Sequence, residues 1–413
     1  MTTAARTLDR LRARLSPILD DVEYRRLGPG LAFRLVLEVG DDVIDLAFAD
    51  GCFALAPVQG TEIRLTAKPE SWERVLQNPP PPTFHSFTAL DLVNSEFAVT
   101  ADPLALAQAR PVLERLVECL VTAPPLTVEA PRRKLSQVTG EWHEVTIDGI
   151  VHEVYVETAG QGTPVLFLHT AGADCRQFQG QLSDIDLAQR FTLIAPDLPF
   201  HGRSMPPRTW RGEDYRLDLA TYRAWCVAIL KQVVGTRAIV AGGSMGAAMA
   251  LVLAADCPDL VHSIIAIEPP LLSKGRRNPY QHHAAVHGAL HNASYVRGLM
   301  SPQSPEADRR RAAWIYSQGA PGIYGGDLAF YSDEFDGHVI AAKIDAAKTP
   351  VALLSGTYDY SATPDDGRKL ASLIAGSYFR EMPGLGHFPM CENPDGFRPY
   401  LVAALEHVSA DQP

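Results

Sequence analysis

The sequence predicts an α/β protein: a mostly parallel sheet covered by helices and interrupted by a helical cap, preceded by a smaller α+β domain. Three observations predict it. From about residue 142, short Val-, Ile- and Leu-rich runs alternate with helical patterns, as strands buried on both faces require. Between about residues 271 and 349 the alternation stops, and a helical stretch stands where a cap would be inserted. Before residue 125 the chain instead reads as a helix, a hairpin-rich meander and more helices. A length of 413 residues accommodates two domains. They are placed at 1–125 and 142–413, with a linker at 126–141.

In residues 1–20, Leu8, Leu11, Leu15 and Ile18 recur at helical spacing. Extended runs at 31–39, 43–49 and 52–58 are broken by Gly40-Asp41-Asp42 and Asp50-Gly51, which are hairpin signals. Residues 62–67 alternate like a strand, 69–77 read as a helix, Pro79 to Pro82 can only be extended loop, and 103–121 form the last helix. Pro124-Pro125 and the polar run beyond them give the linker. In the second domain a hairpin is expected over 143–158 around Asp148-Gly149. Strands follow at 164–169, 191–195, 238–241, 263–267, 351–355 and 378–382.

Hydrophobic residues make up 46% and charged residues 21%, which excludes a disordered or fibrous chain. The net charge of −11, with no basic stripe, argues against a nucleic-acid partner. Arg309, Arg310 and Arg311 read as a solvated helix face. Six cysteines without a CxxC pair suggest a reducing compartment, and no apolar leader follows the N-terminal basic residues, so a cytoplasmic protein is expected. Residues 238–255 carry no charge and imitate a membrane span, but the glycines in their middle suit a strand–turn–helix better, and no span is expected. His283, His287 and His291 would share one helix face. No carboxylate motif accompanies them, so they read as packing, and neither metal nor cofactor is expected.

The chemistry concentrates in Gly242-Gly243-Ser244-Met245-Gly246, between an apolar strand and a helical run. A G-x-S-x-G turn at such a junction strains the serine backbone and projects its hydroxyl at the C-terminal sheet edge. A serine nucleophile needs a base, and the base an orienting acid. Downstream, Asp359 ends the run Leu353-Leu354-Ser355-Gly356-Thr357-Tyr358, and His387 stands in the loop Gly384-Leu385-Gly386-His387. Glu268, at the end of the neighbouring strand, is the alternative acid.

With these residues in order, 142–413 resembles an α/β-hydrolase. The resemblance rests on "VLFLHTAGAD", "LIAPDLPFHGRS", "IVAGGSMGAA", "LLSGTYDYSATP" and "GLGHFPMCENP". It implies a Ser244–His387–Asp359 triad, Asp359 being preferred because its loop is similar to the family's usual acid loop. Some relatives, including lactonases similar to zearalenone hydrolase, take the acid from the strand end that Glu268 occupies. The resemblance also implies an oxyanion hole from the Ala171 and Met245 amides, although Thr170 replaces a customary glycine. His169 reads as a structural histidine, and residues 197–204 as a structural loop in which Phe200 replaces a glycine. Arg176 is a candidate for steering a substrate carboxylate or carbonyl. Trp314 and Tyr324, with Tyr316, Phe330 and Tyr331, are candidates for an aromatic wall.

Residues 1–125 resemble sterol-carrier-like (SCP2-like) domains through "DLAFADGCFAL", "RLTAKPESWERVL" and "FAVTADPLALAQARPVLERL". The expected activity is hydrolysis of a carboxylic ester or lactone of a hydrophobic, aromatic small molecule through an acyl-enzyme. The alternatives are a carbon–carbon bond hydrolase of the meta-cleavage-product type and a non-catalytic lipid- or ligand-binding protein. A homodimer through residues 1–125 is expected.

Overall fold

The computed structural model describes residues 3–56 and 60–410. The chain divides into two compact units, one of Met1–Pro125 with Pro279–Pro305 and one of Leu126–Asn278 with Glu306–Pro413.

The first unit is built on a five-stranded sheet of β1 (Phe33–Val39), β2 (Asp42–Ala49), β3 (Cys52–Ala54), β4 (Glu62–Ala67) and β5 (Phe97–Ala101), in the order β3-β2-β1-β4-β5. β1 runs antiparallel to β2 and parallel to β4, and β5 returns antiparallel to β4. One face alternates inward, burying Leu35, Leu37, Ile44, Leu46 and Leu65 against the helices Thr3–Leu15 and Pro103–Leu120. The expected run at 52–58 is a strand only over Cys52–Ala54, and its last two residues lie outside the described ones. The short helix Phe87–Leu92 and β5 were not expected; β5 has too little hydrophobic alternation to stand out.

Three expectations need correction. The stretch 271–349 is not one cap, because Pro279–Pro305 belongs to the first unit. There the helix Gly288–Leu299 packs on Pro103–Leu120: His291 Nδ1 lies 3.0 Å from the Ala107 carbonyl, and the Arg297 guanidinium is held by Glu23 and Glu118 at 2.9 and 2.7 Å. The first unit therefore takes in residues beyond 1–125. His283, His287 and His291 also do not share a helix face. The helix begins at Gly288, with His287 as its cap residue and His283 in the preceding turn. The second half of the expected linker is likewise structured. Lys134 N donates to the Ser183 carbonyl, and the first strand of the second unit starts at Thr139.

That unit holds an eight-stranded sheet of β6 (Thr139–Ile147), β7 (Ile150–Gly160), β8 (Thr163–Leu168), β9 (Phe191–Pro196), β10 (Ala238–Gly243), β11 (Val261–Ile267), β12 (Val351–Gly356) and β13 (Tyr378–Met382). The order is β13-β12-β11-β10-β8-β9-β7-β6, with β8 to β13 parallel and the β6–β7 hairpin antiparallel at one edge. Every residue of β10 and β12 is buried, which explains their unbroken apolar character. The charge-free stretch 238–255 is β10 followed by the helix Met245–Asp256. No helix among the described residues is long and apolar enough to cross a membrane.

Candidate active site

β10 lies near the centre of the sheet, and the chain reverses sharply at its C-terminal end. Ser244 occupies that reversal with φ 51° and ψ −107°, a conformation that an L-residue adopts only at a cost. Its amide donates to the Ile267 carbonyl of β11 at 2.8 Å, which holds the turn. The flanking glycines are steric necessities: a Cβ on Gly242 would meet the Gly246 carbonyl, and one on Gly246 the Leu168 carbonyl. Strand, turn and helix thus converge on one buried hydroxyl.

The ends of β12 and β13 bring two further residues to it. His387 Nε2 lies 2.8 Å from Ser244 Oγ, and His387 Nδ1 lies 2.5 Å from Asp359 Oδ2. Asp359 Oδ1 accepts from the Ser361 and Ala362 amides at 2.6 and 3.1 Å, which fixes the carboxylate. All three side chains are buried. Between Asp359 and Glu268, then, the residue facing the imidazole is Asp359.

Glu268 stands behind it. Both of its oxygens accept from the Gly356 amide, at 2.8 and 2.9 Å. Burial pushes its carboxyl well above the usual range, and the neighbouring Asp359, to which it hydrogen-bonds, pushes it further. Both effects favour the neutral form of Glu268 over the charged one. A third buried carboxylate, Glu392, accepts from the Gly386 and Phe388 amides at 2.7 and 3.4 Å, on either side of His387.

Opposite the turn lies the loop after β8. The amides on both sides of Ala171 are tied: Thr170 N to Gln177 Oε1 at 2.9 Å and Gly172 N to Asp327 Oδ2 at 2.7 Å. Asp327 also receives the Tyr215 hydroxyl at 2.7 Å and His201 Nε2 at 2.9 Å. His201 Nδ1 faces the Pro199 carbonyl at 3.0 Å, so both ring nitrogens donate. Burial pulls its pKa down, but the Asp327 carboxylate outweighs this and the net shift is upward. An imidazolium–carboxylate pair therefore braces the Ala171 loop. His169 differs. Its Nε2 accepts from the Leu198 amide at 3.2 Å, and burial lowers its pKa to about 4, so it is a neutral strut. Phe200 holds φ 73° against Tyr215, Trp225 and Trp210, aromatic packing that compensates for the missing glycine.

Tyr324 packs against Gly172 in the loop after β8. Arg176 and Trp314 line an open cleft of about 540 Å³ whose walls include Arg133, Arg311 and Cys391, and whose lining does not contain Ser244 or His387. The Arg176 guanidinium is already clasped by Asp174, with Nε to Oδ1 at 2.7 Å. Sequence reasoning missed Asp327 and Glu392, because an isolated acid carries no local pattern.

A model of the alpha/beta hydrolase fold family matches residues 163–394, more than half of the chain. The chain belongs to that family. Among curated proteins it is similar to the 2-(acetamidomethylene)succinate hydrolase of Mesorhizobium japonicum, 34% identical over 114 residues, 27% of this chain and 38% of the relative. The chain thus spans well under half the length of that relative. Solved structures of similar fold include a Thermogutta terrifontis esterase (TM-score 0.56, 18% identity, 65% of this chain and 99% of that one). The enol-lactonase of Burkholderia xenovorans LB400 is comparable (TM-score 0.55, 20% identity, 64% and 99%).

Proposed function

We infer that the protein is a serine hydrolase of carboxylic esters or lactones. The observation that carries the reading is the hydrogen-bonded series Ser244 Oγ, His387 and Asp359, ending on a serine held in a strained elbow. Ser244 Oγ attacks the substrate carbonyl carbon while His387 Nε2 takes its proton. The oxyanion is received by the Ala171 and Met245 amides, donors whose individual loss typically costs about 10²–10³ in rate. Collapse expels the alkoxide, which takes the proton from His387; in a lactone the alcohol stays tethered. Water then gives a proton to His387 and attacks the acyl carbon, and collapse frees the acid and restores Ser244. Asp359 holds the imidazole in the productive tautomer throughout.

That esterase and lactonase structures share the fold is consistent with this reading. A panel of aryl esters and lactones assayed with wild type and Ser244→Ala tests it. Turnover in the variant should fall by more than about 10³-fold with the fold intact. Comparable turnover in the two proteins would refute the mechanism, and no turnover in either would favour a ligand-binding role.

A further inference from the structure

Every polar group of Thr170, in the loop after β8, is bound. Its amide donates to Gln177 Oε1 at 2.9 Å, and its carbonyl accepts from the Ala173 amide at 3.2 Å and faces His169 Nδ1 at 3.0 Å. Because His169 Nε2 accepts from the Leu198 amide, Nδ1 carries the ring proton and donates to that carbonyl. The Thr170 hydroxyl accepts from Gln177 Nε2 at 3.1 Å and hydrogen-bonds to the Tyr316 hydroxyl. Gln177 Nε2 also donates to the Tyr316 hydroxyl at 2.7 Å, so the three side chains close a ring. All three are buried.

Two links lead from this ring to the chemistry. The first is covalent. The Thr170 carbonyl and the Ala171 amide belong to one planar peptide unit, so whatever fixes that carbonyl fixes the direction of the Ala171 N–H. Direction matters, because a donor stabilises an oxyanion only when it stands about 2.7–3.1 Å from where the charge develops. The second link is packing. The Thr170 methyl stands against the residue before the nucleophile: a Cβ on Gly243 would lie 3.1 Å from Thr170 Cγ2. Tyr316, the last residue of the helix Glu306–Tyr316, reaches the histidine side. Its ring packs on Phe388 at 5.3 Å between centroids, and Phe388 packs edge-on against the His387 ring at 4.7 Å. One tyrosine thus holds the loop after β8 with its hydroxyl and the neighbour of His387 with its ring.

We propose that Thr170, gripped by Gln177 and Tyr316, is a positioning residue that aims the Ala171 amide at the oxyanion and couples that aim to the helix Glu306–Tyr316. This rests on the serine-hydrolase reading and deepens it: Ala171 is the donor, and Thr170 acts through it. An aimed donor gains most where negative charge develops, so its worth appears in the transition state more than in the bound ester.

Three substitutions test it. Thr170→Val removes the hydroxyl and keeps the branched shape, Thr170→Ser keeps the hydroxyl, and Tyr316→Phe removes the other end of the bond. With the aryl ester that wild type turns over best, Thr170→Val and Tyr316→Phe should each lower kcat by about tenfold, the scale of one neutral hydrogen bond, with KM little changed. Thr170→Ser should stay within about threefold of wild type. The double variant Thr170→Val/Tyr316→Phe should lose little more than the worse single variant, because both break the same ring. An aryl trifluoromethyl ketone reads the oxyanion donor without turnover: Ser244 Oγ adds to its carbonyl carbon, His387 takes the serine proton, and the carbonyl oxygen becomes the oxyanion. Its inhibition constant should rise by the factor by which kcat/KM falls, which a merely structural role would not produce. Circular dichroism checks that each variant folds. A wild type that turns over none of the esters and lactones speaks against the serine-hydrolase reading, and against this proposal with it. With an active wild type, an unchanged kcat in both Thr170→Val and Tyr316→Phe, a loss confined to KM, or a Thr170→Ser as impaired as Thr170→Val would overturn the proposal alone.

Discussion

Both units bury charge, but they do so to different ends. In the first, buried ions pair with one another: Arg115 with Asp21 and Glu118 at 2.8 and 2.9 Å, and Arg297 with Glu23 and Glu118 at 2.9 and 2.7 Å. This network ties the helices Pro103–Leu120 and Gly288–Leu299 to the turn before Tyr24, and its polar groups are spent on architecture. In the second unit, buried groups converge on a single hydroxyl. Asp359 faces His387, Glu268 stands behind Asp359, Glu392 holds the amides on either side of His387, and Asp327 braces the loop after β8. Charges paired among themselves brace the fold, whereas polar groups that converge on one hydroxyl mark a candidate site.

The sharpest way to break this comparison is to disturb the convergent network. Asp359→Asn should lower kcat by about 10⁴-fold, the size of effect that follows from trapping a catalytic histidine in the wrong tautomer. Glu268→Gln keeps the shape of the side chain and a hydrogen-bonding group beside Asp359 and should cost less than about tenfold, in line with a single neutral hydrogen bond. If Glu268→Gln proves the more damaging, the acid lies at the end of β11. Asp327→Asn removes the charge that pairs with His201 and weakens the hold on Gly172. A loss of roughly ten- to hundredfold in kcat with little change in KM is expected, because a displaced oxyanion donor acts on the transition state. An effect on KM alone would mean that Asp327 shapes the binding cavity instead.

The first unit should respond in stability, and in a pH-dependent way. Glu114 is buried, accepts from the Thr88 amide and hydroxyl at 2.8 and 2.6 Å, and has its pKa raised by burial to about 7. A carboxyl whose folded pKa is raised contributes its stability at low pH and loses it as pH rises through the window from about 4.5 to about 7. Glu114→Gln is neutral throughout. Its melting temperature should therefore gain on that of wild type by roughly 5 °C between pH 5 and pH 8, and a constant difference would contradict this.

The site was legible where chemistry imposes spacing. Gly242 and Gly246 are fixed by backbone approach, and β12 and β13 deliver Asp359 and His387 to the same sheet edge as Ser244, so the order of these residues survived into three dimensions. What the sequence hid were long-range partners. Asp327 lies 155 residues from Gly172, and nothing local distinguishes it from an exposed acid. The return of Pro279–Pro305 to the first unit was equally hidden, because a helix that packs on Pro103–Leu120 has the same periodicity as a cap helix. The pairing of Arg176 with Asp174, two residues before it, was likewise not read from the sequence.

The central claim is that Ser244 carries the chemistry. Brief exposure to a fluorophosphonate, followed by intact-mass and peptide analysis, tests it most directly. The account predicts one adduct per chain, located on Ser244, formed far more slowly in His387→Ala and absent in Ser244→Ala. An unlabelled wild-type protein, or an adduct on any other residue, would contradict it.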